Sequence, residues 1–351
     1  ARYKGAKGAP APSHISRTQP RLVKNYDGYQ WLDPAEPAAA NHSLNVIMDV
    51  VNRYDVDGIH IDDYFYPYPD SKRTSFPDEI SWKKSNSKLS RKDWRRMHIN
   101  SFIKRIHNEI HRVKPHVKFG ISPFGIWRPG HPKQIKGLDA YDELYADARL
   151  WLREGWMDYC APQLYWRIDD RDQSYPVLMQ WWHEQNPKGR HLWPGNNSAK
   201  VNPWPASEIT KQIELTRKHH GATGNIHWNL SALTKNRDNL GTQLITRIYT
   251  QPALVPASKW LDSRAPKAPA VFAKWDKTRE MIRINWRTTD SEPIRWWLFQ
   301  VKTDNRWISK LMPGNQRMAL LRPGKIFPKI ISLTALDMAG NASIAAALTK
   351  K

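Results

Sequence analysis

Apolar positions along the chain follow two alternating periods. Between Asn41 and Tyr54 they fall at Leu44, Ile47, Met48, Val50 and Val51, the spacing of an amphipathic helix. Val56, Ile59 and Ile61 then interleave β-branched residues with polar ones, which predicts a strand over 56–63, and Gly58 within it allows close backbone approach. The spacing goes on to predict a helix opening at Ser90-Arg-Lys-Asp93 and running to about Val113. Its apolar face comprises Trp94, Met97, Phe102, Ile103, Ile106 and Ile110. Further strands are expected over 117–127, 157–166, 191–201 and 221–233. Helices are expected over 142–154, 177–184, 207–219 and about 236–249. Five alternations with no hairpin signal between them predict parallel β/α architecture.

Two flanking stretches break the pattern. Residues 1–30 are rich in Gly, Pro, Lys and Arg, show no periodicity, and read as a long loop. From about Ala265 to Pro269 a Pro/Ala/Lys linker begins, and the period then becomes two: Ile282, Ile284, Trp286; Trp297, Phe299, Val301; Ile331, Leu333, Ala335. Short strands between Asp/Ser/Gly/Pro turns resemble a fibronectin type III or immunoglobulin-like sandwich. The expected division is therefore an α/β unit over 1–262 and a small all-β unit over 263–351.

Each predicted α/β strand ends where apolar residues give way to polar or aromatic ones. The ends are Asp62-Asp63-Tyr64, Ser122-Pro123-Phe124, Gln163-Leu164-Tyr165-Trp166, Asn196-Asn197 and His227-Trp228-Asn229. An open doubly wound sheet would gather ligand groups at one switch point, and the chain carries neither G-x-G-x-x-G nor a Walker loop. Polar ends on every strand instead suit a (β/α)8 barrel of the TIM type, whose sites lie at the strand C-termini.

Composition narrows the chemistry. The 351 residues hold 55 Lys and Arg against 33 Asp and Glu, a formal charge of +22. The cations are spread along the chain without a dense basic run or a nucleic-acid-binding signature, so no specific nucleic-acid partner is called for; an anionic wall or matrix polymer fits as well. The single cysteine, Cys160, excludes an intrachain disulfide and a cysteine zinc cluster. The eighteen tryptophans suit the flat stacking faces of a sugar cleft, although a large core also absorbs tryptophan. No apolar run is long enough to span a membrane, and residues 1–10 show no signal-peptide pattern.

The runs DGIHIDDYFYP, GISPFGIWRPG, YDELYADARLWL and DYCAPQLYW, in this order, resemble the glycosyl hydrolase-like 10 family over roughly residues 1–262. That resemblance implies a bacterial glycosidase of the peptidoglycan glycan-strand type, secreted or lipid-anchored, without a cofactor. It also implies that the chain opens after the first two barrel strands and nearly all of the third. Strands four to eight of an open barrel would remain. DGIHIDDY further looks like the D-G-x-D-x-D-x-E strand of chitinase-type barrels, but Tyr64 stands at their acidic glutamate and His60 at their middle aspartate. Their mechanism is therefore not carried over.

Glycoside cleavage commonly uses two carboxyls, about 5–5.5 Å apart for retention and about 6.5–9.5 Å for inversion. Asp62 is the principal candidate. Asp63 would point to the opposite side of a regular strand and reach the site only if the chain is already turning there. Asp142 and Glu143, with Asp147, are further acids at the mouth, and they read equally as helix N-terminal acids favoured by the macrodipole. His60, Tyr64, Trp127, Gln163, Tyr165, Trp166, Asn197 and Trp228 are candidates for binding a polysaccharide by hydrogen bonds and stacking. Cys160 and the histidines of the 91–113 helix read as core or solvated residues. Two other readings stay open: a metal-dependent, deacetylase-like hydrolase using His60, Asp62 and Asp63, and a non-catalytic glycan-binding protein.

Overall fold

The computed structural model describes residues 2–3, 8–276, 280–304, 306–322 and 328–349. The chain divides into two compact units, residues 1–241 and 242–351. The division falls upstream of the Pro/Ala/Lys linker because the segment before the linker is tied to the second unit. The Ser258 amide donates to the Ala339 carbonyl (2.8 Å) and Asn341 Nδ2 donates to the Asp262 carbonyl (3.0 Å).

In the first unit a parallel ladder forms the frame. Gly58–Ile61 pairs with Lys118–Ile121, which pairs with Tyr159–Cys160, which pairs with His191–Leu192. The ladder continues past Pro194 as Gly195–Asn196 paired with Ile226–His227, and single bridges link Phe124 to Gln163 and Gln163 to Gly195. The strands are far shorter than the sequence pattern suggests. Pro123, Pro162 and Pro194 lack the amide that a ladder needs, so three strands are interrupted there and the polar residues beyond pair only through single bridges and one two-residue ladder. Among the described residues no pairing joins the first strand to the last. The architecture is thus α/β with strands parallel and in chain order, and it is not closed into a ring.

Helices Pro37–Arg53, Arg91–Val113, Tyr175–Glu184 and Ala206–Lys218 lie close to their expected spans. Ser90 caps the second by accepting from the Asp93 amide, and its Ile103, Ile106 and Ile110 are fully buried in one core with Phe119, Ile121 and Cys160. Met97, expected on that face, is 40% exposed. The helix expected over 142–154 is two, Ala140–Glu143 and Ala148–Glu154. Tyr145 takes a left-handed φ of 53°, and Asp147 starts the second by accepting from the Leu150 amide. The final helix is likewise interrupted. Asn236 and Asp238 adopt φ of 48° and 45°, which Asn and Asp tolerate better than most residues, and Asp238 Oδ2 accepts from the Ala206 amide instead (2.8 Å).

Residues 1–30 are not simply a loop, although 1 and 4–7 lie outside the described residues. Val23–Tyr26 and Tyr29–Leu32 form an antiparallel hairpin, with Arg2–Tyr3 paired on its second strand. Asp27 and Gly28, both at positive φ (44° and 75°), make its two-residue turn, the conformation that matches strand twist.

After a helical stretch that ends at Ile248, the regular structure described in the second unit is all β. Ala270–Asp276, Met281–Arg287 and Met318–Leu321 form one antiparallel sheet; Arg306–Pro313, Ile294–Thr303, Ile330–Asp337 and Ala346–Thr349 form another. The two share a core of Ile282, Ile284, Trp286, Trp297, Phe299, Val301, Ile331 and Leu333, the inward set that the period-two pattern selects. Residues 242–351 expressed alone are therefore expected to unfold cooperatively and to keep near-ultraviolet dichroism from buried Trp286 and Trp297. A broad, non-cooperative melt would show that this core does not stand by itself.

Candidate functional site

The parallel ladder places His60, Gly120 and Tyr159 in one row, Gly120 paired with both neighbours. A Cβ on Gly120 would lie 1.9 Å from Tyr159 Cζ, so the bare glycine is what lets the tyrosine ring cross the middle strand. The ring reaches His60, whose Nδ1 lies 3.0 Å from the Tyr159 hydroxyl and whose imidazole stacks on it at 5.6 Å and 13°. His60 Nε2 lies 2.9 Å from Ser122 Oγ, so both ring nitrogens meet hydroxyls. Tyr159 stacks in turn on Trp193 (4.5 Å), and Trp193 on His191 (5.2 Å, 9°). A band of flat rings thus crosses the face of the sheet opposite the Ile59, Ile61 and Phe119 face. Burial pushes the Tyr159 phenol up to about 12, and the protein packed around the partly open His60 lowers its pKa while Asp62 opposes that.

The two adjacent acids diverge because the regular strand stops at Ile61. The Phe65 amide donates to the Asp63 carbonyl (2.9 Å), a turn that carries the Asp63 side chain into the protein, where it is 2% exposed. There it accepts from the Tyr68 hydroxyl and the Gln163 amide, and Gln163 Nε2 donates to the Ser122 carbonyl (2.9 Å). Asp63, Tyr68, Gln163, Ser122 and His60 form one polar chain. Burial raises the Asp63 pKa above the usual carboxylate range, against the bonds from Tyr68 and Gln163 that favour its charged form. Asp62 is exposed and lines a cavity of about 870 Å³ with Tyr29, Trp31, Tyr64 and Tyr68, and with the apolar Ile47, Ile61, Ile99, Phe102 and Ile106 elsewhere on its wall. Trp31 lies 6.4 Å from Tyr64, and Tyr64 lies 5.8 Å edge-on from Tyr68.

Of the other expected binding residues, Tyr165 is close enough for the Asp62 and Asp63 charges to act on its phenol, whose pKa burial raises. Trp166 packs edge-on against Phe124 (5.7 Å), which meets Tyr68 (6.3 Å). His60, Asp62, Asp63, Tyr64, Gln163, Tyr165 and Trp166 are therefore brought together.

Asp142 and Glu143 are spent elsewhere. Asp142 pairs with Lys92 (3.0 Å) and Arg96 (3.1 Å), and Glu143 with Arg73 (2.7 Å). Partial burial raises the Asp142 pKa, but the hydrogen bond and charge of Lys92, with Arg96 and Arg128, outweigh it and hold the group below its ordinary value. Trp127 is 8% exposed, stacked on Trp181 (5.8 Å), and donates to Asp147 Oδ1 (3.1 Å), so it is a core residue and not a wall of the cleft. Trp228 is 50% exposed, and its amide donates to the Asn196 carbonyl (2.8 Å). Asn197 is 9% exposed with its Oδ1 buried and unpartnered. No contact ties Asn197 or Trp228 to Asp62 among the described residues.

Tyr29, Trp31, Tyr68, Tyr159 and Trp193 join this arrangement although the sequence pattern does not single them out, and Ser122, which it marks only as a polar strand end, joins it through His60. Asp27-Gly28 between two aromatic β-prone runs is the signal that reveals the hairpin carrying Tyr29 and Trp31.

The family described as glycosyl hydrolase-like 10 matches residues 11–212. Glycosyl hydrolase YngK of Bacillus subtilis (strain 168) is 39% identical over 286 residues, covering 77% of this chain and 56% of its own length. Glycosyl hydrolase DigH of Escherichia coli (strain K12) is 33% identical over 220 residues, covering 58% of this chain and 50% of its own. The chain thus spans about half the length of the curated relatives it matches. Among solved structures, the PgaB (BpsB) glycoside hydrolase domain from Bordetella bronchiseptica superposes with a TM-score of 0.43 at 11% identity, over 62% of this chain and 66% of that one. Bee venom hyaluronidase in complex with a hyaluronic acid tetramer gives 0.39 at 15% identity, over 65% and 83%. Scores at this level carry no weight for the site.

Proposed function

Because this chain belongs to the glycosyl hydrolase-like 10 family, we propose that its site hydrolyses glycosidic bonds in a bacterial cell-wall or related polysaccharide. The observation that carries the reading is the pairing of an open Asp62, at a cavity lined by aromatic residues together with apolar residues of the Pro37–Arg53 and Arg91–Val113 helices, with a buried Asp63 whose pKa is raised. An oxocarbenium-like transition state gathers positive charge at the anomeric carbon, and a fixed carboxylate at Asp62 stabilises that charge or attacks it. Asp63 acts from behind, holding Tyr68 and Gln163 where they meet the substrate side of the strand end. Trp31, Tyr64 and Tyr165 supply faces and hydroxyls for a sugar ring. Such a substrate places the protein at the cell envelope, and the all-β unit, read as fibronectin type III-like, is a spacer or docking module.

The donor geometry favours this over a metal-dependent hydrolase: both His60 nitrogens meet hydroxyls, and Asp63 is taken up by Tyr68 and Gln163. The test is incubation of the full-length protein with stripped peptidoglycan glycan strands, following reducing ends and product masses. New reducing ends with shortened glycans are expected. Loss of acetyl groups with chain length kept would turn the reading to a deacetylase, and binding without products would turn it to a glycan-binding protein.

A further inference from the structure

At the other end of the ladder, where the Tyr159–Cys160 strand begins, stands a second cluster that glycan chemistry does not use. Helix Arg91–Val113 carries His107 and His111 one turn apart, so the two rings share a face. They meet edge-on, with centroids 4.3 Å apart at 86°. His111 Nε2 lies 2.9 Å from Oδ2 of Asp158, which is wholly buried. The same carboxylate oxygen accepts from the Phe119 amide at 2.7 Å, which fixes its orientation from the neighbouring strand. His107 Nδ1 lies 3.3 Å from Asn108 Oδ1, and its Nε2 is buried with no hydrogen-bond partner. One donor atom from each of the three residues lies within 4.8 Å of the others.

We infer that His107, His111 and Asp158 hold a divalent transition metal of the zinc class, in a structural site that ties the 91–113 helix to the parallel sheet. Two imidazoles and one carboxylate are a donor set that zinc takes, at about 2.0–2.2 Å per bond, with water able to fill the fourth position. Tetrahedral donors at those lengths stand about 3.3 Å apart, so His111 and Asp158 would part by a few tenths of an ångström and His107 would swing inward. A hydrogen bond between His111 and Asp158 explains those two residues without a metal. It leaves the buried His107 Nε2 without a partner, and a buried imidazole nitrogen left over in a His–His–Asp cluster is what a cation would satisfy. Burial lowers the His107 pKa, and the neighbouring His111 adds to that. The Phe119 amide is the outer support that orients the carboxylate. Arg190 opposes binding, because its charge acts on both Asp158 and His107. Affinity in the micromolar range is therefore expected, weaker than a dedicated zinc cage.

The experiment is equilibrium dialysis of the chelator-treated full chain against zinc(II) at neutral pH, with metal analysis and thermal melts. One zinc per chain and a raised Tm are expected, and cobalt(II) should give the visible absorption of a tetrahedral site. His107→Ala should weaken zinc binding by at least about tenfold and abolish the rise in Tm. The metal-free melt of this variant, close to wild type, would show that its fold is kept. His98→Ala, whose ring packs on Trp94 in the same helix, should bind as wild type does. Substoichiometric zinc in the wild type, or binding and Tm response unchanged in His107→Ala, would overturn the inference.

Discussion

Asp62→Asn is expected to lower kcat by roughly 10³ or more, about 4 kcal/mol of transition-state stabilisation, with the fold intact. The amide keeps the shape of the carboxylate and removes its charge. Asp62 is the acid of this strand end that stays open, on a cavity lined by Tyr29, Trp31, Tyr64 and Tyr68 and by apolar helix residues, so its loss falls on chemistry and not on packing. Asp63→Asn should behave differently. An amide there still accepts from Tyr68 but turns a donor toward Gln163, so a smaller fall in activity should accompany a loss of about 1–3 kcal/mol of stability. Both variants are to be measured in the full-length protein on glycan strands, with circular dichroism as the check on folding. If Asp62→Asn stays within tenfold of wild type while Asp142→Asn or Glu143→Gln is dead, the reaction belongs to the loop after the second parallel strand and Asp62 is misassigned.

Asp78→Ala is expected to destabilise the first unit by about 3–5 kcal/mol, because it leaves a buried guanidinium without its counter-charge. Asp78 is wholly buried and Arg95 is 3% exposed. Arg95 grips the carboxylate with two bonds, Nε to Oδ2 (2.7 Å) and Nη2 to Oδ1 (2.6 Å), and Arg91 donates to the same group. The rest of the guanidinium is bound to the Tyr145 hydroxyl (2.6 Å) and the Phe76 carbonyl (3.1 Å), and lies over the Tyr66 ring (5.3 Å). This pair therefore pins the aromatic loop that leaves Asp62 and Asp63, and activity should fall together with stability. Urea melts of Asp78→Ala and of Asp78→Ala with Arg95→Met separate the causes. The double variant should recover most of the loss, since it removes the stranded charge as well as its partner. A single-variant cost below about 1 kcal/mol would mean that water reaches Arg95 and that the loop is held by its aromatic packing instead.

Local chemistry made much of this protein legible in its sequence. The 91–113 helix could be placed from Ser90 and a 3.6-residue apolar period, and the second unit from a period of two, because capping and one-sided burial act within a few residues of chain. The place of Asp62 at a strand end was legible for the same reason, as an acid directly after a β-branched run. What depended on tertiary structure was everything that long-range contact decides. The crossing of Tyr159 to His60 needs the missing Cβ of Gly120 on the strand between them. The inward turn of Asp63 needs Tyr68 and Gln163, the latter a hundred residues away in the chain. The break at Tyr145 is set by a left-handed residue whose hydroxyl is bound by Arg95, and the diversion of Trp127 from the cleft is set by its stack on Trp181. Periodicity reports which side of an element is buried, not which distant residue it meets. The polar chain behind Asp62 is built from such meetings.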